Sequence, residues 1–229
     1  KNWSSFKKAL SRYNAFVWNW VYADREGNIG FKVSGMVPAR TRGTGLEPVP
    51  GWDGEHEWKG VIPFEELPEL YNPRAGYIVT ANNEISDGRY PYAIQPGAVV
   101  LPYRAMRIEK LLKSGGPATS ESMREIQADT HSLFGLEIAG LVIQAVKGLK
   151  ARDSRTEELA RYLREWDGSS DVESVGMTIA FEVFARAMDN LFGNKMDAQL
   201  YGDYRDQMSY SSGICLLMLR GGPYSSWYD

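Results

Sequence analysis

At Pro102 the spacing of the apolar residues changes, and that change restricts the available folds more than any other feature of the chain. Upstream, residues 15–23 (AFVWNWVYA) are dense in aromatic and β-branched side chains, which suit a half-buried pleated strand. The polar cluster DREGNIG follows, and then residues 31–37 (FKVSGMV) alternate. Two such runs around a glycine-containing turn predict a β-hairpin. Residues 38–73 are rich in proline and glycine, lack a period and are expected to be loop. A loop of that length is usually functional or wrapped over other structure. Residues 77–81 (YIVTA) are expected to close this region as a strand.

Downstream the spacing becomes helical. YRAMRIEKLLKSGG predicts a short helix ended by Gly115 and Gly116. A longer helix is expected from the N-cap residue Thr119, with Glu121 in its first turn. In it Met123, Ile126, Thr130, Leu133, Phe134, Leu141, Val142 and Ala145 recur at near-helical spacing. A third is expected from Ser154, with Glu157 completing a capping box, through Leu159, Leu163 and Trp166. A fourth covers roughly residues 175–191 and ends at Gly193. NWSSFKKAL near the start is helix-like, and GICLLMLRGG near the end is apolar but too short to assign. Strands and loops followed by helices predict an α+β fold, divided into residues 1–101 and 102–229.

Composition removes several function classes. The chain is 43% apolar and 24% charged, as soluble globular proteins are. A net charge of −3 gives no electrostatic case for nucleic acid or an anionic membrane. No apolar run reaches the roughly 18–20 residues that span a bilayer. The lone Cys215 cannot form an internal disulfide, and two histidines, His56 and His131, do not make a zinc site. Lys1 opens a stretch with no Met and no signal-peptide pattern, so the chain is expected to be cut from something longer.

Few residues suggest chemistry unaided. GYIVTANNEI places two amides, Asn82 and Asn83, after an apolar run. They fit a turn, because Asn tolerates left-handed backbone angles, or an amide N–H aimed at a ligand. DGEHEWKG (53–60) is expected to be a solvated loop rather than a metal site. RGTGLEP lacks the lysine and the strand–helix setting of a phosphate loop. Glu65, Glu66, Asp167 and Asp171 could in form supply the carboxylate pair of a glycosidase, but nothing sets their separation. The seven tryptophans are expected in packing, and His131 as a structural histidine on the apolar face of the long helix. The nucleophile-elbow pattern G-x-S-x-G is absent.

Longer segments carry a resemblance. WVYADREGNIGFKVSGMVPAR, PVPGWDGEHEWKGVIPFEELPELYNPRAGYIVTANNEI, YPY, YRAMRIEKLL, MREIQADTHSL and LREWDGSSDVESVGMTIAFEVF occur in order. In order and spacing they resemble the penicillin acylase (penicillin amidase) family of N-terminal nucleophile hydrolases, over roughly residues 12–190. The resemblance implies part of an αββα sandwich followed by a mainly helical region. It also implies a self-cleaving precursor in which a serine becomes the N-terminus of the large (β) subunit. That hydroxyl attacks the substrate amide with its own α-amine as base, acting through a water. An N-terminal amine has a pKa near ~8, so a fair share of it is neutral at pH 7.

The same resemblance assigns residues. The first Asn of the ANN motif, here Asn82, is expected to donate its side-chain amide to the oxyanion hole, with Asn83 structural. The family's positioning arginine falls on Arg104, which would fix the asparagine and the nucleophile's amine; a guanidinium is planar, always charged and rich in donors. Arg107, one turn on, is the residue in question if the alignment slips. The serine and its strand are expected upstream of Lys1, with a small subunit and upstream segment of the same precursor as partners. The isolated chain is therefore expected to be inactive, and its exposed strands to self-associate. Many members hold a structural calcium, partly through an aspartate in the loop between the two motifs. Here Ala93 stands at that place and Asp87 is out of register, so no cofactor or metal ligand is assigned. The substrate would be a small N-acyl amide of β-lactam or acyl-homoserine-lactone type, and the location periplasmic or extracellular. The alternative is a non-catalytic structural or interaction module on the same scaffold.

Overall fold

Asn2 starts the first helix, α1 (Trp3–Leu10): its Oδ1 accepts the Ser5 N–H at 3.0 Å while the Ser5 hydroxyl accepts the Asn2 N–H at 3.0 Å. This reciprocal cap satisfies two donors that a helix start leaves orphaned. Lys7 and Lys8 in the last turn complement the helix dipole. The structure, a computed structural model, describes residues 2–45, 47–86, 89–94, 101–151, 153–206 and 208–221. Two units divide the chain, Lys1–Ala98 and Val99–Asp229.

In the first unit β1 (Trp18–Ala23) and β2 (Ile29–Ser34) form the expected antiparallel hairpin. Its turn is held by the Asp24 carboxylate, which accepts the Asn28 N–H at 2.9 Å. Phe31 and Val33 point into a core with Val37, Ile62 and Leu67. Gly30, Lys32 and Ser34 point the other way, as strand alternation requires. The Trp3 ring of α1 sits 2.5 Å from where a Cβ on Gly30 would lie, so only glycine admits it. Trp3 also packs on Tyr71 and Tyr22, with centroids 5.2 and 5.4 Å away.

Two expectations for this unit are corrected. Residues 38–73 are not all loop: β3 (Pro38–Arg40) pairs with β4 (Trp58–Val61), and β5 (Glu69–Tyr71) adds to β2 after a 3-10 turn at Phe64–Glu66. Strands of three or four residues are too short for alternation to register. The strand expected at residues 77–81 is not one. A side-chain bond from Asn19 Nδ2 to Thr80 Oγ1 at 3.0 Å ties that segment to β1, with Ile78 packed on the core.

The second unit is helical: α2 (Tyr103–Ser114), α3 (Ser120–Gln127), α4 (Leu133–Gly148), α5 (Ser154–Glu165), α6 (Val175–Phe192), α7 (Ala198–Asp206) and α8 (Met208–Leu219). α4, α5 and α6 pack together around Ile138, Ala139, Leu163, Ala180, Phe184 and Met188, and α8 adds Cys215 and Met218. Burial raises the Cys215 thiol pKa to about 12, which leaves it inert. The Trp166 ring lies where a Cβ on Gly135 or Gly176 would fall, 2.6 and 2.2 Å away, so two glycines let α4 and α6 close around it.

The single long helix expected from Thr119 is two helices. Ser132 caps α4 by accepting the Gly135 N–H at 3.0 Å, and residues 128–132 turn away to bond the 168–171 segment. His131 lies in that link, bridged to Ser169, and not on a helix face. Asp153, not Ser154, caps α5, accepting the Thr156 N–H at 2.7 Å. The segment GICLLMLRGG belongs largely to α8; it is apolar all round, so it offers no period to read. The fold is α+β.

Candidate active site

Asn82 sits in a turn built by its neighbours. Its φ is +59°, in the left-handed region that asparagine enters more readily than other residues with side chains. Ala81 before it is buried, and Thr80 is pinned to Asn19 of β1. Asn83 after it accepts the Ala81 N–H on Oδ1 at 2.9 Å and donates from Nδ2 to the Glu84 carbonyl at 3.1 Å. Asn82 itself is exposed. A carboxamide held there can donate an N–H to an oxygen that is gaining negative charge.

Arg104 is the second residue of α2 and is exposed. The start of this helix carries Pro102 with no side-chain cap, and a side-chain cluster anchors it instead. The Tyr103 hydroxyl donates to Glu137 of α4, and Arg220, just past α8, binds that carboxylate and donates to the Tyr103 oxygen at 2.8 Å. Burial, with the Glu137 carboxylate beside it, pushes the Tyr103 pKa well above the ordinary tyrosine value. The hydroxyl therefore stays a donor at any physiological pH.

Arg107, one turn later, is engaged elsewhere. Its Nε and Nη2 lie 2.8 and 2.5 Å from the two oxygens of Asp129, a bidentate pair with both side chains 19% exposed. The Arg107 hydrogen bonds hold the Asp129 carboxyl below the usual carboxylate range. This fork fixes the link between α3 and α4, a structural task.

The other candidates have local roles. Glu66 accepts the Tyr92 hydroxyl at 2.5 Å, Asp167 accepts the Ser169 N–H at 2.8 Å, and Asp171 accepts the Thr130 hydroxyl at 2.9 Å. The His131 ring packs against Gly168, whose φ is +93°. His56 Nδ1 is 3.6 Å from Asp53, beyond hydrogen-bond reach, in the exposed 53–57 loop. Among the described residues no three His, Cys, Asp or Glu side chains gather closely enough to hold a metal ion. Ala93 has no side-chain oxygen, and Asp87 lies outside the described residues. Nor, among the described residues, is any helix long and apolar enough to cross a membrane. Sequence reasoning missed the Tyr103–Glu137–Arg220 cluster, whose members are 34 and 83 residues apart along the chain and share no pattern.

The Penicillin amidase family model matches residues 1–229. The chain is 38% identical over 174 residues to penicillin acylase 2 proenzyme of Pseudomonas sp. (strain SE83), covering 76% of this chain and 22% of that protein. It is 32% identical to penicillin G acylase of Escherichia coli, covering 78% and 21%. It is 31% identical to the acyl-homoserine lactone acylase QuiP of Pseudomonas aeruginosa, covering 72% and 20%. The chain thus spans about a fifth of the length of these relatives. Among solved structures, a thermostable penicillin G acylase from Alcaligenes faecalis shares the fold, with a TM-score of 0.65 at 23% identity over 86% of this chain and 36% of that one. By its sequence over all 229 residues, the chain belongs to the penicillin amidase family.

Proposed function

We propose that these residues supply the oxyanion donor, Asn82, and a positioning guanidinium, Arg104, to an amide hydrolase acting on N-acylated small molecules. The names of the relatives supply the substrate class: penicillins or acyl-homoserine lactones. The observation that carries the reading is the geometry of Asn82. An exposed carboxamide at a left-handed φ, between a buried residue and a side chain bonded at both ends, is backbone strain kept where chemistry would use it.

In the proposed reaction a serine from outside these residues attacks the amide carbon, and its proton passes to its own α-amine. The carbonyl electron pair moves onto oxygen, where the Asn82 N–H meets the new charge. Collapse expels the amine, which takes the proton, and water then releases the acid from the acyl-serine. Segments of the same precursor are the proposed partners of β1, which pairs along one side only with β2 among the described strands and exposes Trp18 and Val21. The test is Asn82→Ala in the mature full-length protein. The expected result is a fall in kcat of about 10²–10³-fold, the usual cost of one oxyanion donor. Wild-type turnover would remove Asn82 from the site, and a full-length protein without turnover on any N-acyl amide would favour the non-catalytic module.

A further inference from the structure

Asn82 can act as a donor only while its unusual backbone conformation is kept. We propose that Asn83 is a positioning residue, whose carboxamide holds the turn that presents Asn82; the proposal rests on the reading of Asn82 as oxyanion donor. The Asn83 Oδ1 bond to the Ala81 N–H, 2.9 Å long, closes a ring around Asn82. That ring is compatible with the left-handed φ of +59° at the enclosed residue. The far end of the same amide donates to the Glu84 carbonyl at 3.1 Å. Backbone N–H groups only donate and carbonyls only accept, so these two partners also set which way the amide faces. Upstream the chain is already fixed, by burial of Ala81 and by the Asn19–Thr80 bond. Asn83 fixes the downstream side. Released from it, Asn82 has every reason to relax into the right-handed or extended regions that residues with side chains prefer, which would swing its carboxamide away. A displacement of about 1 Å at a reacting centre costs on the order of 10²-fold.

The test uses the mature full-length protein with Asn83→Leu, Asn83→Asp, Asn82→Ala and the Asn82→Ala/Asn83→Leu double variant. Asn83→Leu keeps the size of the side chain and loses both bonds. Its kcat is expected to fall about 10- to 100-fold with KM within about threefold. Asn83→Asp keeps the acceptor for the Ala81 N–H but loses the donor to the Glu84 carbonyl, so it should recover part of that loss. In the Asn82→Ala background, Asn83→Leu should cost nothing further, because a positioning residue has nothing left to position. A loss of equal size in both backgrounds would overturn the proposal, as would wild-type kcat in Asn83→Leu. If Asn83→Leu does not fold, amide exchange at Ala81 in the wild type and in Asn83→Asp decides. Slow exchange in both is expected, and fast exchange in the wild type overturns the proposal. If Asn82→Ala alone keeps wild-type kcat, the oxyanion reading itself has failed, and that arm says so without reference to Asn83.

Discussion

Removing the buried charge of the first unit should cost less than removing its partner. The Lys32 side chain is fully buried in β2. Its Nζ donates to the Leu67 carbonyl at 2.7 Å, lies 3.3 Å from the Glu69 carboxylate and sits 4.6 Å over the Phe64 ring. Glu69 is 38% exposed and also holds Lys7 of α1 at 3.2 Å. Lys32→Met keeps a stem of similar length and removes an ammonium whose desolvation costs several kcal/mol. Against that stand one hydrogen bond, about 1–2 kcal/mol, a cation–π contact of about the same size and the attraction of the partly exposed Glu69, about 1 kcal/mol. Glu69 keeps Lys7 and water. The terms nearly cancel, so the net change is about 1 kcal/mol in either direction. Glu69→Gln leaves the ammonium buried without a counter-charge, facing only neutral acceptors and a ring face. Breaking a fully buried pair costs about 3–5 kcal/mol, and the exposure of Glu69 reduces that to about 2–3.

Acid–base behaviour gives a second readout of the same site. Burial holds the Lys32 pKa below its ordinary value, with Glu69 pulling the other way. The unfolded chain therefore binds this proton more tightly than the folded one. Stability from this group rises with pH, from the lowered folded value up to about 10.5. That rise should vanish in Lys32→Met. Urea unfolding followed by tryptophan emission reads it well, because five of the seven tryptophans lie in the first unit. If Lys32→Met unfolds at lower urea than Glu69→Gln, or keeps the alkaline rise, the reasoning is refuted.

Other outcomes follow from the second unit and from the proposed mechanism. Arg104→Lys keeps the charge but loses the fork, so kcat of the full-length protein should fall with little change in melting temperature. Arg107→Lys should do the reverse: about 1–2 kcal/mol lost from the Asp129 pair, with kcat nearly kept. Asp129 binds its proton less tightly folded than unfolded, so its contribution is present above about pH 4 and lost as pH falls through the lowered folded value. An acid titration of unfolding should show that loss in the wild type and not in Asp129→Asn. Gly140→Ala in α4, where a Cβ meets nothing within 4 Å, should add about 0.5–1 kcal/mol. Gly176→Ala drives a methyl into Trp166 and should cost about 1–3 kcal/mol, read by thermal unfolding. The 229-residue chain by itself should turn over no phenylacetyl, aliphatic-acyl or β-lactam amide; multiple turnovers stopped by serine-directed inhibitors would place a nucleophile among Ser4, Ser5 and Ser86.

What could be read from the sequence depended on whether the determinant was local. The β1–β2 hairpin, α2 and α6 were legible because a turn cluster or a terminal glycine stands beside an apolar period. The break between α3 and α4 was not. Periodicity continues across residues 128–132, and what stops the helix is distant: the Arg107–Asp129 fork and the bonds to residues 168–171. β5 exists because β2 offers it an edge, and neither strand's composition announces the pairing. The Lys32–Glu69 pair is likewise a product of register, since antiparallel pairing sets those two residues side by side.

The candidate site marks the same boundary within two adjacent letters. Asn82 and Asn83 are identical in type, and nothing in residue chemistry separates them. Their surroundings do. Asn83 has both ends of its amide bonded to the backbone around it, which is the turn role of asparagine. Asn82 takes the left-handed backbone that the turn requires and keeps its own side chain at the surface. Asparagine suits each position for a different physical reason: at 83 because an amide can accept and donate at once, at 82 because it tolerates positive φ and carries an N–H. In the proposed role, glycine at 82 would satisfy the backbone and lose the donor, and aspartate would keep the shape and repel the oxyanion. The position asks for a residue that meets both demands, and asparagine is the side chain that does so.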